Sequence, residues 1–222
     1  MVGQRYGRLM LSSLFPPSLP TLIVPWLDLA GLAVFAASGA LAAAKRGQTI
    51  VTLSFFALVT GVGGGTVRDL LIGAPVFWVS DSRVAAACLI VAMLIWITPV
   101  RWWRGAALDW FDAVGLAAYA VFGAAKALDY GIPLVPAALM GVVTACVGGI
   151  IRDVLAGEPS IIMRPEIYVT AAALAAGLYV ALVTIGTPGA IAAIIAASAG
   201  FALRAAAIGW KLALPGYRGG QQ

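Results

Sequence analysis

The chain has 222 residues, of which 62 % are hydrophobic and only 10 % charged, with a formal net charge of +5. Ordinary soluble domains carry about 45–50 % apolar and about 25 % charged residues; this composition, with a mean hydropathy of +1.00, excludes a soluble globular protein and defines a polytopic membrane protein. The sequence contains no histidine, which removes His-ligated metals and His acid–base catalysis. The basic balance fits positive loops beside membrane helices and not nucleic acid binding.

Residues 1–25 read as a leader: Arg5 and Arg8, an apolar patch from Leu9 to Phe15, then Pro16, Pro17 and Pro20. No small-x-small cleavage site follows that patch. Residues 26–208 read as one transmembrane domain of seven apolar segments, each near the about 20 residues that span a bilayer. They run from about Trp26 to Ala44, Thr49 to Ile72, Arg83 to Val100, Leu108 to Leu128, Pro133 to Leu155, Glu166 to Ile185 and Pro188 to Ile208. Residues 209–222 form a tail. Trp26, Trp78, Trp102, Trp103, Trp110 and Trp210 stand at or beside segment ends, the headgroup level that indole rings prefer. Cys88 and Cys146 lie inside apolar runs and read as small packed hydrophobes.

One stretch occurs twice. Thr60-Gly61-Val62-Gly63-Gly64-Gly65-Thr66-Val67-Arg68-Asp69, with Gly73 and Pro75 beyond it, returns as Thr144-Ala145-Cys146-Val147-Gly148-Gly149-Ile150-Ile151-Arg152-Asp153, with Gly157 and Pro159, at an offset of 84. The match extends to Asp28 and Asp112, Gly31 and Gly115, Phe35 and Tyr119, Gly39 and Gly123, and Gly47 and Gly131. The repeats therefore cover about 28–100 and 112–184, three helices each, and the seventh helix at about 188–208 has no counterpart. An odd number of spans per copy makes the repeat inverted, which places the functional centre at the repeat interface near the midplane. Loop charge sets the orientation. Arg5, Arg8 and Arg83 fall on one side; Lys45, Arg46, Arg101, Arg104, Arg164, Lys211 and Arg218 fall on the other. The second side is expected to be cytoplasmic, with the C-terminus inside and the N-terminus outside.

Glycine costs about 1 kcal/mol relative to alanine inside a helix, and the second and fifth segments carry clusters of it. Two uses are possible: close helix packing, for which Gly61 and Gly65 have the Gly-x-x-x-Gly spacing, or a local break that frees backbone groups to meet an ion. Symmetric placement in an inverted repeat favours a pathway, with broken helices at Gly63–Gly65 and Gly148–Gly149 flanking a constriction and Thr60 and Thr144 beside them; freed carbonyls there could meet a cation, and freed N–H groups an anion. Four motif charges at the bilayer centre would cost on the order of 10 kcal/mol, so they are expected to be paired or to face water. Asp28 is expected near Arg68 and Asp69, and Asp112 near Arg152 and Asp153, as two vestibule charge clusters. Whether these line the pathway or only lock helices stays open at this level. Lys126, late in the fourth segment, either snorkels to the interface or serves as a gate. Ala192, Ala196 and Gly200 share a face of the seventh segment and predict tight packing, within the protomer or between subunits.

Two copies of Gly-Gly-x-x-Arg-Asp in two three-helix repeats, followed by a seventh helix, resemble the prokaryotic members of the trimeric intracellular cation (TRIC) channel family. The resemblance covers Asp28 to about Ile208. It implies a homotrimer with a water-filled pore in each protomer, lined by glycine-rich kinks of the second and fifth helices, here Gly63–Gly65 and Gly148–Gly149. It implies a monovalent cation, chiefly potassium, as permeant ion, with potassium or sodium held transiently at the glycine kinks and no structural metal, a bacterial or archaeal cell membrane as location, membrane lipids as surroundings, and no cofactor or nucleic acid. Animal members carry Lys-Glu-Val after the second-helix glycines; here Thr66-Val67-Arg68-Asp69 stands there, and Val147 replaces the first glycine of the second triplet. The runner-up is a carrier of a small solute such as glycine; a scaffold without transport is a third reading, and an enzyme is the least favoured, since there is no histidine, no Ser–base arrangement stands out and the motif Asp residues adjoin Arg.

Overall fold

A computed structural model describes residues 23–103, 106–163 and 166–215, with side chains described from residue 29 onward except at 100 and 101. Seven α-helices are found among them. They are α1 (Ile23–Lys45), α2 (Ile50–Leu71), α3 (Ser82–Ile97), α4 (Ala107–Asp129), α5 (Leu134–Leu155), α6 (Val169–Thr184) and α7 (Gly189–Trp210). Short 3₁₀ turns at Val100–Trp103 and Ile161–Met163 join α3 to α4 and α5 to α6. The expected segments agree with these helices to within a few residues. Four helices (α2, α4, α5 and α7) have the length and apolar composition to cross a membrane, and α3, α6 and the Leu29–Lys45 part of α1 are shorter apolar helices. The expected leader lies almost wholly outside the described residues.

The inverted repeat is visible in how the helices pack and end. In the first half α1 packs on α2 and α3, and α2 on α3; in the second, α4 packs on α5 and α6, and α5 on α6. The halves meet where α2 crosses α5 and α1 meets α4. Phe35 and Tyr119, themselves an 84-residue pair, touch edge to face with ring centroids 5.2 Å apart. Helix endings repeat as well. Gly47, Gly73, Gly131 and Gly157 have φ of +64°, +68°, +75° and +65°, the left-handed closing position that glycine fills without strain. Each is followed by a backbone bond reaching back over the last turn: Gln48 N–H to Ala43, Ala74 to Asp69, Ile132 to Ala127 and Glu158 to Asp153, at 2.8–3.2 Å. These pairs share the offset, so the same sequence punctuation ends the same helices.

The interior is built from small residues. Ala36, Ala40, Ala57, Ala120, Ala124, Ala145, Ala171 and Ala175 are fully buried. Large apolar side chains such as Phe55, Ile90, Met93, Trp96, Leu139 and Ile194 point outward. That inversion of the soluble pattern suits a bilayer, where burying apolar surface gains little and close backbone approach gains dispersion. Trp78 donates its indole N–H to Thr66 Oγ1 at 3.0 Å, and Trp103 donates to Thr98 Oγ1 at 2.7 Å, so these two terminal rings tie loops to helix hydroxyls. Cys88 and Cys146 are both free and buried.

The seventh helix breaks the symmetry. It packs on α6 and α4, and Ala192, Ala196, Gly200, Arg204 and Ala207 form its buried stripe. The small-residue face thus braces the protomer, the first of the two packing roles left open by the sequence. A methyl group at Gly200 would stand 2.7 Å from Ala175 Cβ.

Candidate functional site: the α2–α5 crossing and its charge clusters

The glycine clusters sit where α2 and α5 cross. Both helices remain α-helical through Gly61–Gly65 and through Gly148–Gly149, which corrects the expectation of broken helices. The missing side chains are used to bring two backbones together. A methyl group at Gly64 would overlap the carbonyl oxygen of Thr144, and one at Gly148 would overlap that of Thr60, each well inside the 3.0 Å that real Cβ atoms respect. Because the carbonyls of both clusters stay within helical backbone, they are not freed to hold potassium or sodium. Gly63 faces Ile151 and the Gly148 backbone, while Gly61 turns to Cys88, Leu32 and Ala36 on the α1 and α3 side. Thr60 and Thr144 are both buried. The Thr144 hydroxyl donates to the Met140 carbonyl at 2.6 Å, whereas Thr60 Oγ1 has no partner. The two hydroxyls lie close against Gly39 and Gly123, again a matched pair.

Each Arg-Asp pair follows its glycines by one turn and is buried. Arg68 donates from Nε and Nη2 to Asp69 Oδ1 at 2.9 and 2.8 Å. Arg152 donates from Nε to Asp153 Oδ1 at 2.9 Å, and its Nη2 stands 2.9 Å from the same oxygen. The second carboxylate oxygen does a separate task in both copies. Asp69 Oδ2 accepts the Phe77 amide at 3.1 Å, and Asp153 Oδ2 accepts the Ile161 amide at 2.8 Å. Residues 77 and 161 are also 84 apart. The motif carboxylate therefore anchors the loop that leaves its own helix.

The two clusters diverge in their remaining partners. Arg152 Nη1 donates to Asp112 Oδ1 at 2.5 Å and to Ser38 Oγ at 3.1 Å, so Asp112 stands beside Arg152 as expected. The side chain of Asp28 lies outside the described residues. In the other cluster Lys126 Nζ lies 2.7 Å from Asp69 Oδ1 and is only 4 % exposed. This replaces the snorkelling reading: the inward ion pair compensates the ammonium where lipid would not. The repeat counterpart of Lys126 is Ala42, so that cation belongs to one end only. Arg68 also lies over the Phe122 ring at 5.8 Å, and Phe122 is the counterpart of Ser38. Among the described side chains, one end sets Arg68 and Lys126 against Asp69; the other sets Arg152 against Asp112 and Asp153. Asp112 and Lys126 are fourteen residues apart on α4, about 21 Å along the axis, so the clusters occupy opposite ends.

Three further residues join the Arg152 end without having been singled out in the sequence. Tyr168 is 1 % exposed and its hydroxyl would stand 2.8 Å from a methyl group at Gly149. Arg204 of α7 lies over the Tyr168 ring at 5.2 Å and donates to Glu166 Oε2 at 2.8 Å. Arg204 interrupts an otherwise apolar segment, and that lone charge was the available signal. At the surface of the same end, Arg46 pairs with Glu158 and joins the two repeats.

An inverted repeat of three-helix units, crossed at small residues and flanked by buried charges, defines a transport-type membrane protein. The family model described as "Glycine transporter" matches residues 25–99 and again 109–184, two matches whose starts repeat the 84-residue offset. The inner membrane protein YadS of Escherichia coli K12, placed in UPF0126, is 38 % identical over 208 residues, covering 87 % of this chain and 96 % of that protein. A UPF0126 membrane protein of Vibrio cholerae is 37 % identical over 204 residues, 89 % of this chain and 84 % of that one. The solved TRIC trimeric intracellular cation channel orthologue from Rhodobacter sphaeroides is 44 % identical with a TM-score of 0.80, covering 86 % of this chain and 99 % of that chain. A second TRIC cation channel structure has 26 % identity and a TM-score of 0.80, covering 90 % and 100 %. The chain belongs to the prokaryotic branch of the TRIC channel family, the one that the Glycine transporter model describes.

Proposed function

We propose that this protein is a cation channel permeable to monovalent cations, potassium first, with a passage inside each protomer at the α2–α5 crossing. The observation that carries the reading is the dyad-related crossing itself, bracketed at both ends by buried charge clusters. Gly63, Gly64, Gly65, Gly148 and Gly149, with Thr60 and Thr144, form the constriction, while Gly61 packs towards α1 and α3. Asp69, Asp112 and Asp153, paired with Arg68, Lys126 and Arg152, form the two vestibule charge clusters, and Lys126 is the candidate gate at its end. Kinship with TRIC channels supports the function and a homotrimer. Loop charge supports a cytoplasmic C-terminus and an external N-terminus in a bacterial inner membrane.

The test is purified protein in planar bilayers under a potassium gradient. Discrete current steps reversing near the potassium potential are expected. A quiet bilayer with intact protein would overturn the channel reading. The backbone contact between Gly64 and Thr144 favours one alternative, a carrier that opens to each side in turn. Saturable uptake of radiolabelled glycine by proteoliposomes would establish it.

A further inference from the structure

The mouth at Gly149 is closed by a different device from the mouth at Gly65. At Gly65 the covering group is Phe77, with Cε1 2.6 Å from where a Cβ would stand. Its backbone is held by Asp69 of the same repeat. At Gly149 the covering group is Tyr168, the residue just before α6. The 84-residue counterpart of Tyr168 is Val84, which has no such role. Tyr168 is held from the seventh helix, which the repeat does not contain. Arg204 lies over its ring at 5.2 Å, donates to Glu166 Oε2 at 2.8 Å, and reaches the Ile167 carbonyl at 3.4 Å. The segment carrying Glu166 is tied again beyond α7 by a bridge between Glu166 and Ala213. Arg204 falls on the stripe Ala192, Ala196, Gly200, four residues apart at each step, so the packing of α7 aims it inward.

We infer that α7 controls one mouth of the passage: Arg204 is a positioning residue that holds Tyr168 as a lid over Gly149. The inference rests on the α2–α5 crossing being the pathway, and adds an asymmetric control that the repeat alone lacks. Displacing Tyr168 opens the Gly149 position, from which Asp112 Oδ1 stands 3.5 Å away, and with it Cys146, buried in the same cluster as Tyr168. Cys146 lies one turn deeper than Gly149 on the same face of α5.

Cys146 therefore reports the lid without any need for conduction. The experiment measures labelling of Cys146 by a membrane-impermeant cationic thiosulfonate in sided vesicles, in a Cys88→Ser background. With the lid in place, labelling is slow from both faces. Tyr168→Ala and Arg204→Ala are each expected to speed it by about ten-fold or more, from the C-terminal face only. The double variant should match the single variants, since residues acting through one contact are non-additive. Glu166→Gln, which keeps the buried arginine in place, is expected to give a smaller increase, and serves if Arg204→Ala does not fold. Equal acceleration from both faces, an additive double variant, or no response to Arg204→Ala and Glu166→Gln while Tyr168→Ala responds would overturn the inference. A silent bilayer recording with the expected labelling pattern would count against the channel reading alone.

Discussion

At the residue scale, the most telling feature is a hydrogen atom where a methyl group does not fit. Gly64 and Gly148 each place Cα against a carbonyl of the opposite helix, and backbone cannot swing aside as a flexible side chain would. Overpacking costs typically about 1–3 kcal/mol, so Gly64→Ala and Gly148→Ala are both expected to lower the melting temperature of the detergent-solubilised protein, by similar amounts because the sites are dyad-related. Gly177 of α6 has open space around its Cβ position, and Gly177→Ala is expected to be neutral or to gain up to about 1 kcal/mol from helix propensity. If all three variants melt alike, the close crossing is not what the glycines serve. Asp112 gives a second prediction. Removing one partner of a buried ion pair costs about 3–5 kcal/mol; Arg152 keeps Asp153, so Asp112→Ala should fall at the low end of that range. Ser38→Ala removes one hydrogen bond to the same guanidinium and should cost about 1–2 kcal/mol. Thermal unfolding of the two variants side by side checks the order.

At the element scale, helices are tied by their ends. Asp81 caps α3 by accepting the Arg83 amide at 3.0 Å and its guanidinium at 2.6–3.1 Å. The hydrogen bond from the Arg83 side chain holds the Asp81 carboxyl below its usual range, against a smaller opposing effect of burial. A carboxyl with a lowered folded-state pKa stabilises above its unfolded value and loses that contribution as pH falls through the lowered one. Protection factors at the start of α3, that is, hydrogen exchange corrected for its intrinsic pH dependence, should therefore fall in acid and not near neutrality, and Asp81→Asn should remove that change. The surface pair Arg46–Glu158 belongs to a weaker class, worth about 0–1 kcal/mol. Charge reversal at Glu158 is expected to leave the melting temperature almost unchanged, whereas Gly200→Leu, wedged against Ala175, should loosen α7 from α6.

At the scale of the whole molecule, two halves related by an approximate dyad are made unequal by a few side chains. Lys126 adds a cation at one end, where its counterpart is Ala42. Ser38 and Phe122, also counterparts, give one guanidinium a hydroxyl and the other an aromatic face. Helix α7 packs on α4 and α6 of the second half. Such a molecule should respond unequally to voltage of opposite sign. Neutralising Lys126, as Lys126→Gln, is expected to reduce that asymmetry in bilayer currents by about two-fold or more, since a charge moved in the membrane field couples by about 2.3 kcal/mol per 100 mV. A fluorescent protein fused to the C-terminus is expected to mature and fluoresce in bacteria, as the loop charges require; a dark fusion with full expression would reverse the orientation.

Much of this was legible in the chain. The seven helices follow from apolar length, the inverted repeat from the 84-residue offset and an odd span count, and the meeting of Asp112 with Arg152 from those two together. The family was legible too, because its motif occurs twice. The glycine clusters show where sequence stopped. A helix rich in glycine can break or can approach a neighbour, and the choice depends on what stands opposite. Here Thr144 and Thr60 carbonyls stand opposite, and the helices stay whole. Lys126 was undecided, and Tyr168 and Arg204 were not singled out, for the same reason. Their partners, Asp69, Gly149 and Glu166, lie on other elements, and the rotation of each helix about its axis is set by packing, which no local pattern in the chain records. The sequence by itself determined the elements, their number and their symmetry, because hydropathy and repetition are properties of one dimension. Only the tertiary structure decided that Lys126 meets Asp69 and Arg204 meets Glu166, and which glycine each aromatic ring covers.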